Sequence, residues 1–130
     1  MNPTVVDASA LAAIIFQEPG FEPVAQRLGG LTVFAPTLLK YELVNVACVK
    51  ARREPAKAAR FLSAVGAALD SRSKIVWQDI DPADVALIAH ATGLSAYDAA
   101  YLCLAGSLGA DLVTLDRPLA AASAAEDEQT

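Results

Sequence analysis

The chain has 130 residues, which is the length of a single domain. It is 55% hydrophobic with a mean hydropathy of +0.39, so a sizeable core is expected and intrinsic disorder is excluded. The net charge of −5 argues against a general phosphate-binding surface, although ten Lys and Arg side chains remain available for a local one.

Three features of the sequence predict a cytoplasmic protein with no membrane segment. No uncharged apolar run approaches the ~20 residues that span a bilayer. The opening Met-Asn-Pro-Thr carries no basic segment, so no signal peptide is expected. Cys48 and Cys103 lie in apolar helical stretches without a CxxC motif, and we expect two buried, reduced thiols.

Short apolar strands alternate with helices in the first half of the chain. Residues 4–7 predict a strand that ends in an acid, and a helix follows to residue 16. A second helix is predicted over residues 21–28, and a second strand over residues 31–35. Thr37 is the expected N-cap of a long helix that continues to about Arg53. The inner side of that helix is predicted to carry Leu38, Tyr41, Val44 or Asn45, Cys48 and Val49.

The alternation continues beyond a helix that ends near Leu69. Residues 75–77 predict the third strand. Asp81, followed by proline, predicts the cap of the next helix, which Gly93 ends.

The stretch LSAYDAAYLCLAGSLGADLVTLDRPL contains two acids at the ends of predicted elements. Ser95 is the expected N-cap of a helix in which Asp98 takes the capping-box position, and Gly109 ends that helix. Residues 112–115 predict a buried fourth strand that ends in Asp116.

This order of elements predicts a three-layer α/β/α domain with a short parallel sheet. We expect the domain to span residues 1–125, with a short helix or coil over 117–125 and a frayed acidic tail over 126–130. Parallel strands end along one edge of a sheet, where ligands bind. Asp7 and Asp116 should therefore share that edge.

Two further acids could join them. Glu42 lies early in the helix after the second strand, close to the same edge. Asp98 reaches it if the connection before its helix returns the chain to that side. Each acid also has a purely structural explanation, as a cap, a turn residue or a charge favoured by the helix dipole.

A cluster of all four acids favours a cation site over four separate structural roles. Two carboxylates ~5 Å apart repel by about 3 kcal/mol at an effective dielectric of about 20. A hard divalent cation such as Mg²⁺ or Mn²⁺ relieves that repulsion, and His90 is expected on the surface of a different helix. The same repulsion predicts that Asp7→Asn or Asp98→Asn raises the melting temperature of the metal-free protein.

The strings VVDASAL, YELVNV, LSAYDAAYL and LVTLDRPLA, spread over nearly the whole chain, resemble the PIN-domain ribonucleases and, within them, the VapC-type toxins. The resemblance implies a metal-dependent endoribonuclease that uses Mg²⁺ or Mn²⁺, with direct ligands Asp7 and Asp98. Glu42 and Asp116 would complete the catalytic set of four acids. The further matching positions, implied to orient these acids, are Ser9, Asn45 and Thr114. Many relatives have an additional edge strand, which the ending AASAAEDEQT places in doubt here, so the resemblance implies a parallel sheet of four or five strands.

The resemblance also implies an RNA substrate, a homodimer and a cognate VapB-type antitoxin. Basic residues crowd one helix–turn–helix, either as an ordinary solvated face or as an RNA-steering patch: Lys50, Arg52, Arg53, Lys57 and Arg60. Arg117, beside Asp116, is better placed to contact a phosphate near the metal.

Two other functions remain open from the sequence. A PIN fold that has lost catalysis would be a binding module, although all four acids are present here. A receiver-type signalling domain also gathers acids around Mg²⁺. That class requires a Lys after a late strand, and no Lys follows Asp116.

Overall fold

The computed structural model describes residues 3–129 and shows a parallel sheet flanked by helices in three layers. Within that range the sheet has four of the four or five predicted strands. They are β1 (Thr4–Val6), β2 (Val33–Pro36), β3 (Ile75–Gln78) and β4 (Asp111–Val113).

Seven α-helices are present in the described part of the chain, besides two short 3₁₀ turns at Pro55–Lys57 and Ser71–Ser73. The helices are α1 (Ala8–Ile15), α2 (Phe21–Leu28), α3 (Leu38–Arg53), α4 (Ala58–Leu69), α5 (Pro82–Thr92), α6 (Ala96–Leu108) and α7 (Arg117–Gln129). None of these helices, nor any other among residues 3–129, is long and apolar enough to cross a bilayer.

The strand order is β3-β2-β1-β4, with every neighbouring pair parallel. The chain builds outward from β1 through β2 to β3 and then returns to place β4 on the other side of β1. Val5 consequently pairs with Phe34 on one side and Leu112 on the other. The strand order reverses between β1 and β4, and open α/β sheets bind ligands at such a point.

Helix α6 supports the centre of the sheet. It packs against β1, β2 and β4. Helix α5, which precedes it in the chain, also packs against α6 and ends at Gly93, whose φ is +75°. Tyr101, Leu102 and Leu104 of α6 are buried. Ser95 caps α6 as predicted, because its Oγ accepts the Asp98 N–H at 3.1 Å.

The inner face of α3 differs from the prediction. Leu39, Leu43 and Ala47 are fully buried, whereas Tyr41 is 79% exposed and Val44 is 38% exposed. The helix carries two apolar stripes in sequence, and packing against α1 and α4 buries the 39/43/47 stripe rather than the one that includes Tyr41. Tyr41 is therefore left in solvent beside Glu42.

Thr37 takes the N-cap position of α3, as predicted, but its side chain makes no capping hydrogen bond, because its Oγ1 donates to Asp79 at 2.7 Å. Two predicted element ends are wrong. Strand β4 ends at Val113, before the predicted residues Thr114 and Leu115. Helix α7 continues through residue 129, into the segment that was predicted to be a frayed acidic tail.

Both cysteines are half-buried free thiols, less enclosed than predicted. The predicted N-cap Asp81 does accept the N–H of Ala83 at 2.9 Å, and His90 is exposed on α5 as expected.

Candidate active site

Four carboxylates approach the sheet edge where the strand order reverses, each from a different element. Asp7 follows β1 directly and Asp116 lies just before α7, where its carbonyl accepts the Ala120 N–H at 2.9 Å. Glu42 occupies the second turn of α3, and Asp98 the first turn of α6. The structure thus brings to one edge the four acids that the sequence selected.

Asp7 is the most enclosed of the four, with 4% of its surface exposed. Its Oδ1 accepts hydrogen bonds from Ser9 Oγ at 2.8 Å and from the Ala10 N–H at 3.0 Å. Its Oδ2 accepts one from Thr114 Oγ1 at 2.5 Å. A carboxylate oxygen accepts two such bonds, so Oδ2 keeps one acceptor position for another ligand.

The same two hydroxyls also hold the loop that carries Asp116. The backbone N–H of Leu115 donates to Ser9 Oγ, and that of Asp116 donates to Thr114 Oγ1, both at 2.9 Å. The two hydroxyls are 3.3 Å apart. Because Ser9 begins α1 and Thr114 follows β4, this network joins the two elements on either side of the strand reversal.

Glu42 is held by a side chain that was not among the residues selected from the sequence. Tyr101 on α6 donates its hydroxyl hydrogen to Glu42 Oε1 at 2.5 Å, across a separation of 59 residues in sequence. The Tyr101 ring is 1% exposed. The available signal was the choice of tyrosine over phenylalanine at a buried position one turn after Asp98, since a buried phenol requires a polar partner.

Burial and mutual repulsion both disfavour the charged forms of these acids. Burial is the largest cause that raises the pKa of Asp7, and the charge of Asp116 adds to it, against the lowering effect of three hydrogen bonds. Burial likewise raises the pKa of Asp98 above its ordinary value, with further contributions from Asp116 and Asp7.

The pKa of Glu42 is also raised, by burial first and then by the charges of Asp98 and Asp7, while the hydrogen bond from Tyr101 lowers it. Burial, followed by Glu42, raises the pKa of Tyr101 beyond its usual value, so its hydroxyl remains a donor at physiological pH. The charge of Asp116 therefore acts on Asp7 and Asp98, and the charges of Asp7 and Asp98 act on Glu42.

The donor set fits a hard, hydrated cation. Over residues 3–129, no three Asp, Glu, His or Cys side chains converge closely enough to enclose a metal by themselves. Mg²⁺ usually keeps several waters and binds proteins through one or two carboxylates, so it does not require such a cage. Carboxylate oxygens with neither imidazole nor thiolate beside them suit Mg²⁺ or Mn²⁺ better than zinc.

An open groove adjoins Glu42, with a volume of about 490 Å³. Asn45, exposed one turn after Glu42, lines it together with Tyr41 and Tyr97. A second, mostly apolar groove of about 390 Å³ continues from it past Tyr97 towards α5.

The structure places the predicted basic residues at two distances from the acids. Arg117 is exposed directly beside Asp116. Arg52 and Arg53 are exposed at the end of α3, and Lys57 forms an ion pair with Glu54 at 3.7 Å. A helix rises 1.5 Å per residue, so these arginines lie roughly 15 Å along α3 from Glu42.

Lys50 takes a different role from the rest of the basic group. Its Nζ lies 3.1 Å from Glu18 and over the rings of Phe16 and Phe61, at 5.5 and 5.9 Å from their centroids. This contact joins the end of α1 to α3 and α4, so Lys50 is engaged within the protein.

Comparisons with known proteins agree on the fold. The family described as "PIN domain" matches residues 4–124. The crystal structure of PAE2754 from Pyrobaculum aerophilum is similar over 94% of this chain and 86% of its own, with 30% identity and a TM-score of 0.67. The structure of Mycobacterium tuberculosis VapC20, described as a sarcin-ricin loop cleaving toxin, covers 92% of this chain and 94% of its own, with 17% identity and a TM-score of 0.64. No curated protein sequence matches the chain.

Proposed function

Because this chain belongs to the PIN domain family, whose members are generally nucleases, we propose that it is a metal-dependent endoribonuclease of the VapC type. The observation that carries the proposal is the meeting of four carboxylates from four elements at the strand reversal. A bound cation would offset the electrostatic repulsion among these carboxylates. The fold shared with VapC20 adds support for a toxin, since that protein is described as a sarcin-ricin loop cleaving toxin.

The chain's own residues divide into cation ligands and groups that orient them. Asp7 would bind the cation through Oδ2, whose second acceptor position is free of the contacts with Ser9, Ala10 and Thr114. Asp98 would be the second direct ligand, with Glu42 and Asp116 completing the site directly or through water. When bound, Mg²⁺ or Mn²⁺ supplies an activated water and stabilises charge on the phosphodiester.

Hydroxyl groups and a basic side chain complete the proposed arrangement. Ser9 and Thr114 restrain both Asp7 and the loop of Asp116, so that the acids keep their relative positions when substrate enters. Arg117, exposed beside Asp116, would contact an RNA phosphate, while Arg52, Arg53 and Lys57 would act at longer range. Asn45 would contribute an amide at the groove wall.

The proposed partners follow from the same family. We expect an RNA substrate, a homodimer and a VapB-type antitoxin that blocks the groove, acting in the cytoplasm. Exposed aromatic side chains that line the groove support protein contacts there, since Tyr41 is 79% and Tyr97 is 65% exposed.

Family membership removes the receiver-type alternative, whereas a PIN domain without catalytic activity remains a competing function. Cleavage assays on single-stranded and stem-loop RNA, in Mn²⁺ or Mg²⁺ and in EDTA, distinguish the two. The wild type should cut only with metal, and Asp98→Asn should be inactive. Asp84→Asn is the matched control, because Asp84 is an exposed first-turn acid of α5. Cleavage that persists in EDTA, or that survives Asp98→Asn, would contradict the proposal.

A further inference from the structure

Tyr101 combines a core position with a contact to the acidic cluster. Its ring is buried in the main core, beneath β1 and β2, where phenylalanine would satisfy the packing. The hydroxyl group instead lies at the boundary between that core and the acids, 2.5 Å from Glu42 Oε1. The other two tyrosines, Tyr41 and Tyr97, are exposed.

Burying the hydroxyl is unfavourable because it removes the group from water, and packing of the ring does not compensate for this. A phenol removed from water loses its hydrogen bonds unless a protein partner replaces them. The partner here is a carboxylate that is itself half-buried and close to the charges of Asp7 and Asp98. Such a short bond to a charged acceptor is among the stronger hydrogen bonds in proteins.

The bond also restricts the conformation of Glu42. A glutamate on a helix has three rotatable side-chain bonds, and in the open groove beside Tyr41 it could adopt several rotamers. Anchoring Oε1 to a residue of the rigid α6 core selects among them. Among the described side chains none donates a hydrogen bond to Oε2, so this oxygen keeps its acceptor positions for water or a cation.

We infer that Tyr101 is a positioning residue, which holds Glu42 by one oxygen so that the other oxygen serves the divalent cation. The inference rests on the proposed nuclease function. Tyr101 touches neither substrate nor cation in this role and acts only through Glu42. It corresponds to the outer partners that orient carboxylate ligands in metal sites, whose loss typically costs roughly 10–100-fold in metal affinity or activity.

The test compares Mn²⁺ binding by calorimetry, without RNA, in wild type, Tyr101→Phe and Ser107→Ala. Tyr101→Phe removes the hydroxyl and keeps the ring, and it should raise the Mn²⁺ Kd about 10-fold. Ser107→Ala removes an exposed hydroxyl from the last turn of the same helix, which donates only to the Leu104 carbonyl, and it should leave the Kd unchanged. The Mn²⁺ concentration that gives half-maximal cleavage should shift with the Kd, while the KM for RNA stays constant. Circular dichroism establishes the temperature at which all variants are folded.

A double-mutant cycle separates positioning from packing. In a Glu42→Gln background the hydroxyl has no carboxylate to orient, so adding Tyr101→Phe should change the Mn²⁺ Kd less than twofold. An equal effect in both backgrounds would overturn the inference, because Tyr101 would then act through general packing. A Tyr101→Phe variant with the wild-type Kd would overturn it as well, while leaving the proposed function intact. A wild type that binds no Mn²⁺ and cleaves RNA in EDTA would overturn both.

Discussion

Neutralising Asp98 should stabilise the metal-free protein while abolishing its proposed activity. Asp98 is half-buried in the first turn of α6, and burial, Asp116 and Asp7 all raise its pKa. Two effects oppose the gain. A first-turn acid interacts favourably with the helix dipole by about 0.3–1 kcal/mol, and the contact with Ser95 lowers its pKa. The pKa of Asp98 is nevertheless raised, so burial and the two neighbouring charges outweigh the contact with Ser95.

Coulomb's law and the exposure of Asp98 bound the magnitude. Two unit charges about 4 Å apart repel by about 4 kcal/mol at an effective dielectric of about 20, and the repulsion is smaller at larger separations. Asp98 is partly exposed, and the interaction energies measured for exposed charge pairs are far smaller than this value. We therefore expect Asp98→Asn to raise the free energy of unfolding by about 1 kcal/mol. With an unfolding entropy of about 2.1 cal/mol/K per residue, that gain raises the melting temperature by about 4 °C in a chain of this length.

Asp7→Asn should not share this gain, in contrast to the expectation from sequence alone. Ser9, Ala10 and Thr114 all donate to the Asp7 carboxylate. Asparagine has an NH₂ group in place of one carboxylate oxygen, so this group would face one of the three donors without accepting its hydrogen bond. A protonated aspartic acid, in contrast, keeps both oxygens as acceptors. The buried position leaves no water to compensate, so Asp7→Asn should melt no higher than the wild type in EDTA.

Thermal melts at neutral pH and moderate salt test this reasoning, in EDTA and in millimolar Mn²⁺. Wild type should gain stability with metal, by about 2.7 kcal/mol when the free metal reaches 100 times its Kd, and Asp98→Asn should gain less. Asp84→Asn serves as the control for loss of a first-turn acid. If Asp98→Asn melts below wild type in EDTA and the wild type does not respond to metal, these acids are caps and hydrogen-bond partners and the cation site is refuted.

The remaining predictions concern pH, the hydroxyl network and the basic residues. The raised pKa values of Asp7, Glu42 and Asp98 mean that the folded state binds more protons than the unfolded state. Their contribution to stability is therefore complete below about pH 4 and is lost as pH rises through the raised values. In EDTA the melting temperature should fall as pH rises through this range, and Asp98→Asn should reduce the fall. Thr114→Val, which removes a donor to Asp7 and an acceptor for the backbone N–H of Asp116, should cost about 1–3 kcal/mol in chemical denaturation and weaken Mn²⁺ binding, whereas Thr32→Val on the surface should do neither. Arg117→Ala should lower kcat/KM for RNA. Replacing Arg52, Arg53 and Lys57 together by alanine should mainly weaken RNA binding and flatten its salt dependence, with Mn²⁺ affinity unchanged. An unaltered salt dependence would mean that these three residues form an ordinary solvated face.

The elements and the identity of the acids could be predicted because they depend on local chemistry. The side chains of Ser95 and Asp81 accept backbone hydrogen bonds at the starts of α6 and α5, and Gly109 ends α6 in a left-handed conformation. Alternating short apolar strands and helices indicated the parallel sheet, and strand ends in such a sheet must lie on one edge. The acids at those ends were therefore recognisable before any contact was known.

The face that each helix buries depended on tertiary packing. Helix α3 has two apolar stripes, and nothing local decides whether Leu43 or Tyr41 is turned inward. The choice is made by α1 and α4, which are distant in sequence, and it leaves Tyr41 in solvent. The end of β4 at Val113 is similar, because side-chain hydroxyls take over the backbone N–H groups of Leu115 and Asp116 there.

The sequence by itself determined which residues are candidates for the proposed chemistry, since four carboxylates at element ends and two nearby hydroxyls are visible in its pattern. Only the tertiary structure decided how those groups are held. Thr114 reaches Asp7 across 107 residues and Tyr101 reaches Glu42 across 59, and both bonds exist because β4 returns beside β1 and α6 packs next to α3 at the sheet edge. A hydrogen bond requires its atoms within about 3 Å. Proximity on that scale between distant segments is a property of the packed chain, and no local pattern encodes it.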